Sequence, residues 1–241
     1  MDVLSALAGY LAQSRRTLDL TFWPEGPVLV PQRARLTEAL STPYVLDVVA
    51  LRAAHGGLEL KSLLGMAAAL GIATGQGRRH VTGIVSHVRR LGHDGGLTSY
   101  GLRIVPGLAL LALDRRSRLF QGRSVPEIVT QVLNEHIQRN AAIGACFRYE
   151  TRLTRHYPVH PYCNQYREST QAFIERLLAE EGISYTFTFA LDGGVPTHTL
   201  VLFDDAWQLP AASVPQVPYH PLSAEGHAMV DIGRSMVNAI N

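Results

Sequence analysis

Two histidines in the second half of the chain have the residue type and spacing that acid–base chemistry would use. His156 and His160 enclose a Tyr-Pro-Val segment, and a separation of four residues would turn both rings to one face of an extended strand. Pro158 lies between them and works against a regular strand. A hydrolase built on these histidines and nearby carboxylates stays open as an alternative, although nothing in the chain assembles a nucleophile, a base and an oxyanion donor.

The remaining metal-binding and redox side chains do not form a recognisable site. The chain has 10 histidines but only 2 cysteines, Cys146 and Cys163, at a spacing unsuited to zinc. Two cysteines are also too few for a disulfide scaffold, so we expect reduced, partly buried thiols. His87 and His136 are interpreted as edge residues on half-buried faces. The sequence therefore predicts no metal site, no cofactor site and no catalytic residue.

Adjacent carboxylates occur at Glu180 and Glu181, in the last turn of a predicted helix. An acid and a base could be paired in this way, but neighbouring residues on a helix point in different directions. The helix macrodipole disfavours negative charge at this end, so a cation should offset it. We expect a solvated pair or a salt bridge to Arg176.

A cluster of Tyr166, Arg167 and Glu168 also raises the question of function, because tyrosine and arginine are common at binding hot spots. Structural use is the favoured interpretation, with Arg167 or Glu168 satisfying polar partners where a strand meets a helix. An inter-subunit contact is the alternative.

Known phosphate-binding and hydrolytic motifs are missing from the sequence. Gly75, Gly77 and His80 give two of the three glycines of a dinucleotide loop, but they precede a predicted strand, whereas phosphate binding needs the loop to open a helix. A P-loop, a G-x-S-x-G elbow and an H-E-x-x-H helix do not occur.

The segment from Tyr162 to Gly182 positions most of these side chains. Gln165 to Glu168 is a polar strand end, and Ser169 is a suitable N-cap for the helix that follows. Apolar residues recur at helical spacing, and a strand over 183–189 follows the left-handed residue expected at Gly182. The members of this segment singled out as a structural motif or interface are Tyr162, Gln165, Tyr166, Arg167, Glu168, Phe173, Leu177 and Gly182.

The first hundred residues predict successive strands separated by glycine turns. Residues 17–22 alternate as a half-buried strand does, and 44–51 is apolar apart from Asp47, so we expect both of its faces to be covered and Asp47 to have a partner. A hairpin is predicted between 80–90 and 97–105, with Tyr100, Leu102 and Ile104 on one face. This pattern favours a barrel or a sandwich.

After Pro106 the pattern becomes mixed. Ser124 and Glu127 have the spacing of a capping box, which predicts a helix with a buried stripe at Ile128, Val129, Val132, Leu133 and Ile137. Four prolines within 210–221 then forbid regular structure.

Composition limits the classes of partner. Charged residues make up 17% of the chain, against about 25% in an average globular protein, which suggests that subunit interfaces cover part of the surface. A net charge of +2 with scattered basic doublets argues against nucleic acid. The apolar run over 63–73 is too short to span a membrane, and the start of the chain does not resemble a signal peptide.

Ordered sequence matches carry a resemblance to a family. The chain resembles the VgrG spike proteins of bacterial type VI secretion, in the portion that is itself similar to phage tail hubs. The matching segments are 37–41 with Tyr44, 63–65, 83–85, 100–106, 117–121, 125–128, 165–182 and 198–205. The segment 165–182 is the most specific.

The resemblance implies a fold and a non-enzymatic role. The implied fold class is α+β and phage tail-hub-like, a β-barrel domain followed by a mixed α/β region and the start of a second β domain. We divide the chain into an N-terminal helical segment (1–14), a first barrel-like hub domain (15–115), a mixed α/β hub region (116–206) and a proline-rich connection with a divergent tail (207–241). The closed barrel would leave no exposed sheet edges.

The implied function is that of a structural hub. Such a protein forms a homotrimeric ring, weakly held if truncated, that joins the Hcp tube to the puncturing needle and contacts baseplate proteins. It is cytoplasmic before firing and is then delivered outside the cell. Nucleic acid is not expected as a partner, and a membrane-spanning segment is not expected either. A baseplate hub of a contractile phage tail or prophage is the alternative.

The sequence departs from the family after Asp205. Neither an OB-fold nor needle repeats follow, and residues 207–241 match the family poorly, so we expect a hub fragment or the product of a truncated gene.

Overall fold

A computed structural model describes residues 17–53, 58–74, 77–94 and 96–210. The strands are β1 (Leu18–Trp23), β2 (Val30–Ala39), β3 (Thr42–Ala53), β4 (Ala67–Thr74), β5 (Gly77–Asp94), β6 (Leu97–Val105), β7 (Arg115–Arg123), β8 (Phe147–Arg152), β9 (His160–Ser169), β10 (Ser184–Asp192) and β11 (Val195–Phe203). The α-helices are α1 (Leu60–Leu63), α2 (Gly107–Leu110), α3 (Val125–Arg139), α4 (Ala141–Cys146) and α5 (Thr170–Glu180). The predicted helical segment 1–14, the glycine at 75 and most of the predicted tail lie outside the described residues.

The first six strands form one antiparallel sheet in the order β1-β4-β5-β6-β3-β2. The edge strands β1 and β2 lie close to each other, but the described residues contain no hydrogen-bonded pairing between them. The predicted barrel is therefore not closed by hydrogen bonds in this part of the chain. Pro31, which pairs with Ala50, illustrates why β2 is an edge, since proline has no N–H to give to a further strand.

Strand β3 shows that the two faces of this sheet differ. Its core-facing side chains are Tyr44, Leu46, Val48 and Ala50, all buried. On the other face the Asp47 side chain is 45% exposed and forms a salt bridge with Arg103 at 2.8 Å. The prediction that Asp47 has a partner is confirmed, whereas the prediction that both faces are covered is wrong, because this antiparallel sheet leaves one face in water.

The predicted hairpin between β5 and β6 is confirmed. The strands pair from Ile84 with Val105 to Asp94 with Leu97. Gly96, in the turn, has a φ of +82°, which favours glycine. Tyr100, Leu102 and Ile104 are buried together, as their alternation predicts.

The second half of the chain adds a small sheet and helices. Strands β10 and β11 are antiparallel, and β8 pairs with β11 in parallel. The capping box of α3 is confirmed, because the Ser124 backbone N–H donates to Glu127 Oε2 at 2.8 Å. That hydrogen bond and the Ser124 hydroxyl lower the pKa of Glu127.

A single cluster of buried apolar residues runs through both halves, from Leu20 on β1 to Leu202 on β11. One hydrogen bond crosses the same junction, because the Thr82 hydroxyl on β5 donates to the carbonyl of Thr197 on β11. The carbonyl of Thr82 in turn accepts from the Tyr44 hydroxyl on β3 of the same sheet. None of the helices described above has the length and apolar character needed to cross a membrane.

Candidate interface on the two-stranded ribbon

Strands β7 and β9 pair only with each other among the described residues, forming an antiparallel ribbon. The register runs from Arg115 opposite Ser169 to Arg123 opposite His160. A two-stranded ribbon is marginally stable in water by itself, so one of its faces must be packed. The ribbon therefore has an inner face that fixes it and an outer face that is free.

The outer face is apolar and aromatic at its centre. Leu119 on β7 lies opposite Asn164 on β9, and Tyr162 and Tyr166 are the diagonal neighbours of Leu119 on the same face. The exposed fractions are 51% for Leu119 and 67% for each tyrosine. Tyrosine and leucine together in water form an unusual surface for a monomer and a common one for an interface.

A bulge in β9 sets the end of this face. The register shifts between Arg116 and Arg118, so that Tyr166 and Arg167 lie opposite Ser117. Arg167 has a φ of +51°, a left-handed conformation that a non-glycine residue adopts at a cost. Its N–H donates to Ser117 Oγ at 3.2 Å, and its guanidinium carbon lies 5.3 Å from the centre of the Tyr166 ring. The bulge thereby places an arginine on the aromatic surface.

The inner face is held by a buried amide. Gln165 is 1% exposed. Its Oε1 accepts from Arg118 Nε at 2.8 Å, and its Nε2 donates to the Glu168 carbonyl at 3.2 Å and to Thr170 Oγ1 at 3.3 Å. Arg118 also donates to Glu135 Oε2 on α3 at 2.7 Å. We call this set, together with the Asp114 contacts described next, the polar clamp.

Asp114 is the second centre of the polar clamp. Its carboxylate accepts from Arg116 Nε at 2.8 Å and from the Thr170 hydroxyl at 2.8 Å, and it contacts His136 Nε2 at 3.2 Å. Burial raises the pKa of Asp114, but the hydrogen bonds from Arg116 and Thr170 outweigh it, so the pKa is lowered overall. Burial lowers the pKa of His136, although the Asp114 carboxylate opposes this shift.

Helix α5 adds further ties to the ribbon. Arg176 bonds Glu168 at 2.8 Å, Glu180 at 3.0 Å and the Asn164 carbonyl at 3.1 Å, and these carboxylates raise its pKa. The predicted salt bridge between Glu180 and Arg176 is confirmed. Glu168 therefore pairs with Arg176 across the strand–helix junction, and a local pair between Glu168 and Arg167 is not present.

The other residues singled out in the sequence are structural. Phe173 is fully buried and stacks on Phe120 of β7 with ring centres 5.7 Å apart. Leu177 is buried, and Gly182 ends the helix with a φ of +64°. The Ser169 N-cap is confirmed, since its hydroxyl accepts from the Ala172 N–H at 3.1 Å.

The two candidate catalytic histidines lie in different elements. His156 lies in the loop before β9, while His160 begins β9 and contacts Glu181 at 3.2 Å. His136 is buried on α3, so its interpretation as an edge residue is wrong. The described residues contain no group of three or more histidine, cysteine or acidic side chains that could hold a metal.

Sequence reasoning missed Leu119, Arg118 and Asp114 as members of the site. The alternation Arg-Ser-Arg-Leu-Phe over 116–120 could have predicted the strand. The clamp, however, includes contacts between residues 17 positions apart (Arg118 with Glu135) and 56 positions apart (Thr170 with Asp114) in the chain. It also missed His198, which is fully buried. The His198 Nε2 accepts from the Gly107 N–H at 2.8 Å, and burial lowers its pKa to about 3.

The known proteins that match this chain define its family. The family model described as phage tail baseplate hub (GPD) matches residues 37–237. The chain therefore belongs to the phage tail baseplate hub family. The matched range extends past Asp205 into the tail for which a poor match is expected.

Curated relatives of this chain are spike proteins. The chain is 36% identical over 186 residues to the type VI secretion system spike protein VgrG4b of Pseudomonas aeruginosa, covering 76% of this chain and 21% of that protein. It is 34% identical over 218 residues to the spike protein VgrG1b of the same organism, covering 89% of this chain and 28% of that protein. The chain thus spans less than a third of the length of either relative.

Solved structures show the same fold. The Escherichia coli c3393 protein, described as a component of the type VI secretion system with structural similarity to the T4 bacteriophage tail proteins gp27 and gp5, superposes with a TM-score of 0.66 at 25% identity, over 78% of this chain and 50% of that one. The Francisella PdpA–VgrG complex superposes with a TM-score of 0.54 at 12% identity, over 84% and 34%. The predicted α+β, tail-hub-like fold class is confirmed.

Proposed function

We propose that this chain is the hub portion of a type VI secretion spike, a structural module without enzymatic activity. The family match and the similarity to VgrG proteins support this role. In the proposed assembly, copies of the hub form a homotrimeric ring that joins the Hcp tube to the needle and contacts baseplate proteins. The ring assembles in the cytoplasm and leaves the cell when the apparatus fires.

The observation that carries the proposal is an exposed aromatic face on a rigidly held ribbon. Leu119, Tyr162 and Tyr166 are more than half exposed, yet the strands beneath them are fixed by the polar clamp and by the stacking of Phe120 on Phe173. Rigid aromatic side chains lose little conformational entropy on binding, which makes them efficient anchors. We therefore assign the contact between hub copies to this face.

Light scattering during gel filtration tests the assignment. We expect the average mass of the wild-type chain to rise from monomer toward trimer with concentration, and a further complex to form with purified Hcp. Leu119→Glu should remain monomeric, because a charge at the centre of an apolar interface is left unpaired. Leu191→Glu is the matched control, since Leu191 is a strand leucine of similar exposure, 41%, on β10.

Two results would contradict this proposal. A wild-type chain that stays monomeric at every concentration and ignores Hcp would exclude the hub role. Equal behaviour of Leu119→Glu and Leu191→Glu would exclude the ribbon as the contact face while leaving the hub role in place.

A baseplate hub of a contractile phage tail or prophage is the second candidate, favoured by the description of the family itself. The same fold serves both machines, so the residues of the ribbon do not distinguish them. Genes flanking the coding sequence decide the matter. Sheath and Hcp genes are expected for secretion, and capsid and portal genes would instead establish a phage tail.

A further inference from the structure

The outer face of the six-stranded sheet holds a groove with arginines on both sides. Its hollow of about 620 Å³ is lined by residues of β2, β3, β5 and β6. The register places two rows of side chains across these four strands. One row is Arg35, Asp47, Arg103 and His87, and the other is Arg33, Val49, Gly101 and Arg89.

The second row makes the groove a channel with an apolar floor. Neighbouring strands are about 4.8 Å apart, so Val49 and Gly101 form a floor two strands wide between Arg33 and Arg89. The absence of a side chain at Gly101 leaves room for Arg89, whose Nε lies 3.2 Å from the position that a Cβ at residue 101 would occupy. The Arg89 side chain thus lies above the backbone of Gly101, next to Val49.

The positive charge of this groove is not neutralised within the described part of the chain. The carboxylate of the groove, Asp47, is bonded to Arg103 through both oxygens, at 2.8 and 3.1 Å. Arg33, Arg35 and Arg89 are exposed and have no ion-pair partner among the described residues. Guanidinium groups in this state are matched by carboxylates and phosphates, which they bind with paired hydrogen bonds.

We propose that this groove binds an extended, acidic segment of a partner protein, with carboxylates on the arginines and an apolar side chain on the Val49–Gly101 floor. The apolar floor favours a peptide over a nucleic-acid backbone, whose repeating phosphates would match the arginines alone. The described surface of this chain offers no matching segment, which favours a different protein as the partner. Its carboxylates without a hydrogen-bond partner are Glu25, Glu59, Asp94 and Asp192, each in a separate loop or strand end.

Fluorescence anisotropy with a labelled peptide of alternating glutamate and valine tests this proposal. We expect the full chain to bind it with an affinity that falls as salt rises, and to ignore the matched glutamine–valine peptide. Arg33→Gln with Arg89→Gln should weaken binding at least about tenfold, since each charge-assisted contact is worth that much. Arg90→Gln, on the next residue of β5 and outside the groove, is the control and should leave binding unchanged.

Several outcomes would overturn the proposal. Equal binding of the glutamine peptide would show that charge is not recognised, and equal loss in Arg90→Gln would show that the groove is not the site. Tighter binding of a single-stranded oligothymidine at the same salt would assign the groove to nucleic acid. Loss of peptide binding whenever the chain self-associates would assign it to a second copy. Circular dichroism on each variant establishes that the fold is intact, since the substituted side chains are exposed.

Discussion

The six-stranded sheet and the two-stranded ribbon are stabilised in different ways. The sheet rests on apolar packing, with Leu46, Leu70, Ile84 and Ile104 fully buried beneath it. The ribbon rests on the polar clamp, in which Gln165 and Asp114 connect it to α3 and α5. Apolar packing is non-directional and tolerates change on the opposite face, whereas a hydrogen-bond network fixes geometry and fails when one member is lost.

This difference determines how freely the outer face of each region can change to suit a binding partner. The outer face of the sheet carries arginines that its fold does not use, so its charge can be adapted to a partner without cost to stability. The position of the ribbon's outer face depends on the contacts that its inner face makes with the rest of the protein. The recognition proposed for the ribbon is therefore coupled to stability, and the recognition proposed for the sheet is not.

The largest effect on the free energy of unfolding is expected from His198, an ionisable group within the apolar core. Its folded-state pKa of about 3 is below the ordinary 6.5, so the folded state disfavours its protonation. Stability is full above pH 6.5 and falls as the pH drops toward 3, by about 5 kcal/mol at most. His198→Gln keeps an acceptor for the Gly107 N–H and removes the titration. Urea unfolding between pH 7 and 4.5 should show a flatter dependence in this variant.

His136 contributes to the slope that remains, because burial lowers its pKa as well. The pKa shift of His136 has the same direction as that of His198, so its contribution to stability is also lost as the pH falls below 6.5. A wild-type chain whose unfolding free energy did not change between pH 7 and 4.5 would contradict the assignment of His198 as a neutral, buried ring.

The clamp and the sheet face can be compared with two arginine substitutions. Arg118→Ala leaves Gln165 Oε1 and Glu135 without their partner, and we expect a loss of about 3 kcal/mol in the free energy of unfolding. Arg35→Ala, on the exposed sheet face, should change it by less than about 0.5 kcal/mol. Chemical denaturation of both variants provides the measurement, and similar losses in the two would remove the distinction drawn between the regions.

A smaller effect on the free energy of unfolding is expected at the bulge. Arg167 adopts a φ of +51°, which glycine would adopt without strain, so Arg167→Gly should raise the free energy of unfolding by about 0.5–1 kcal/mol. The same change removes the guanidinium that lies over Tyr166 and should weaken self-association. A variant that is less stable than wild type would contradict the strain at Arg167. A variant that assembles equally well would show that the bulge is not a binding feature.

The smallest effect is expected at Ser117, whose hydroxyl accepts from the Arg167 N–H. Ser117→Ala should cost less than about 0.5 kcal/mol, because the bond is exposed, but it should speed hydrogen exchange at the Arg167 amide. Ser86→Ala on β5, which removes a hydroxyl bond to the Arg103 carbonyl, is the matched change in the sheet and should leave the Arg167 amide untouched.

Much of the local structure could be predicted from the sequence. The hairpin of β5 and β6, the Ser124–Glu127 box of α3, and the strand, helix and strand around Gly182 all follow from alternation, capping and glycine at short range. The resemblance to spike proteins was predicted as well, from segments such as 165–182. The predicted division of 15–115 from 116–206 stays a prediction, while one apolar core runs through both ranges.

The candidate sites were harder to predict, because their members are distant in sequence. Tyr162, Tyr166 and Arg167 could be singled out by type. Their neighbours Leu119 and Ser117 come from the partner strand, more than 40 positions earlier in the chain.

The amino-acid sequence by itself determined the order of the strands and helices, their caps, the family and the absence of known catalytic motifs, since these depend on near neighbours in the chain. The tertiary structure alone decided that β1 and β2 are the edge strands of the sheet within the described residues, that Glu168 pairs with Arg176, and that His198 is buried and neutral. It also decided that Arg33 and Arg89 lie on opposite sides of one groove. Each of these depends on strand register and on burial, and both are properties of distant segments brought together by folding.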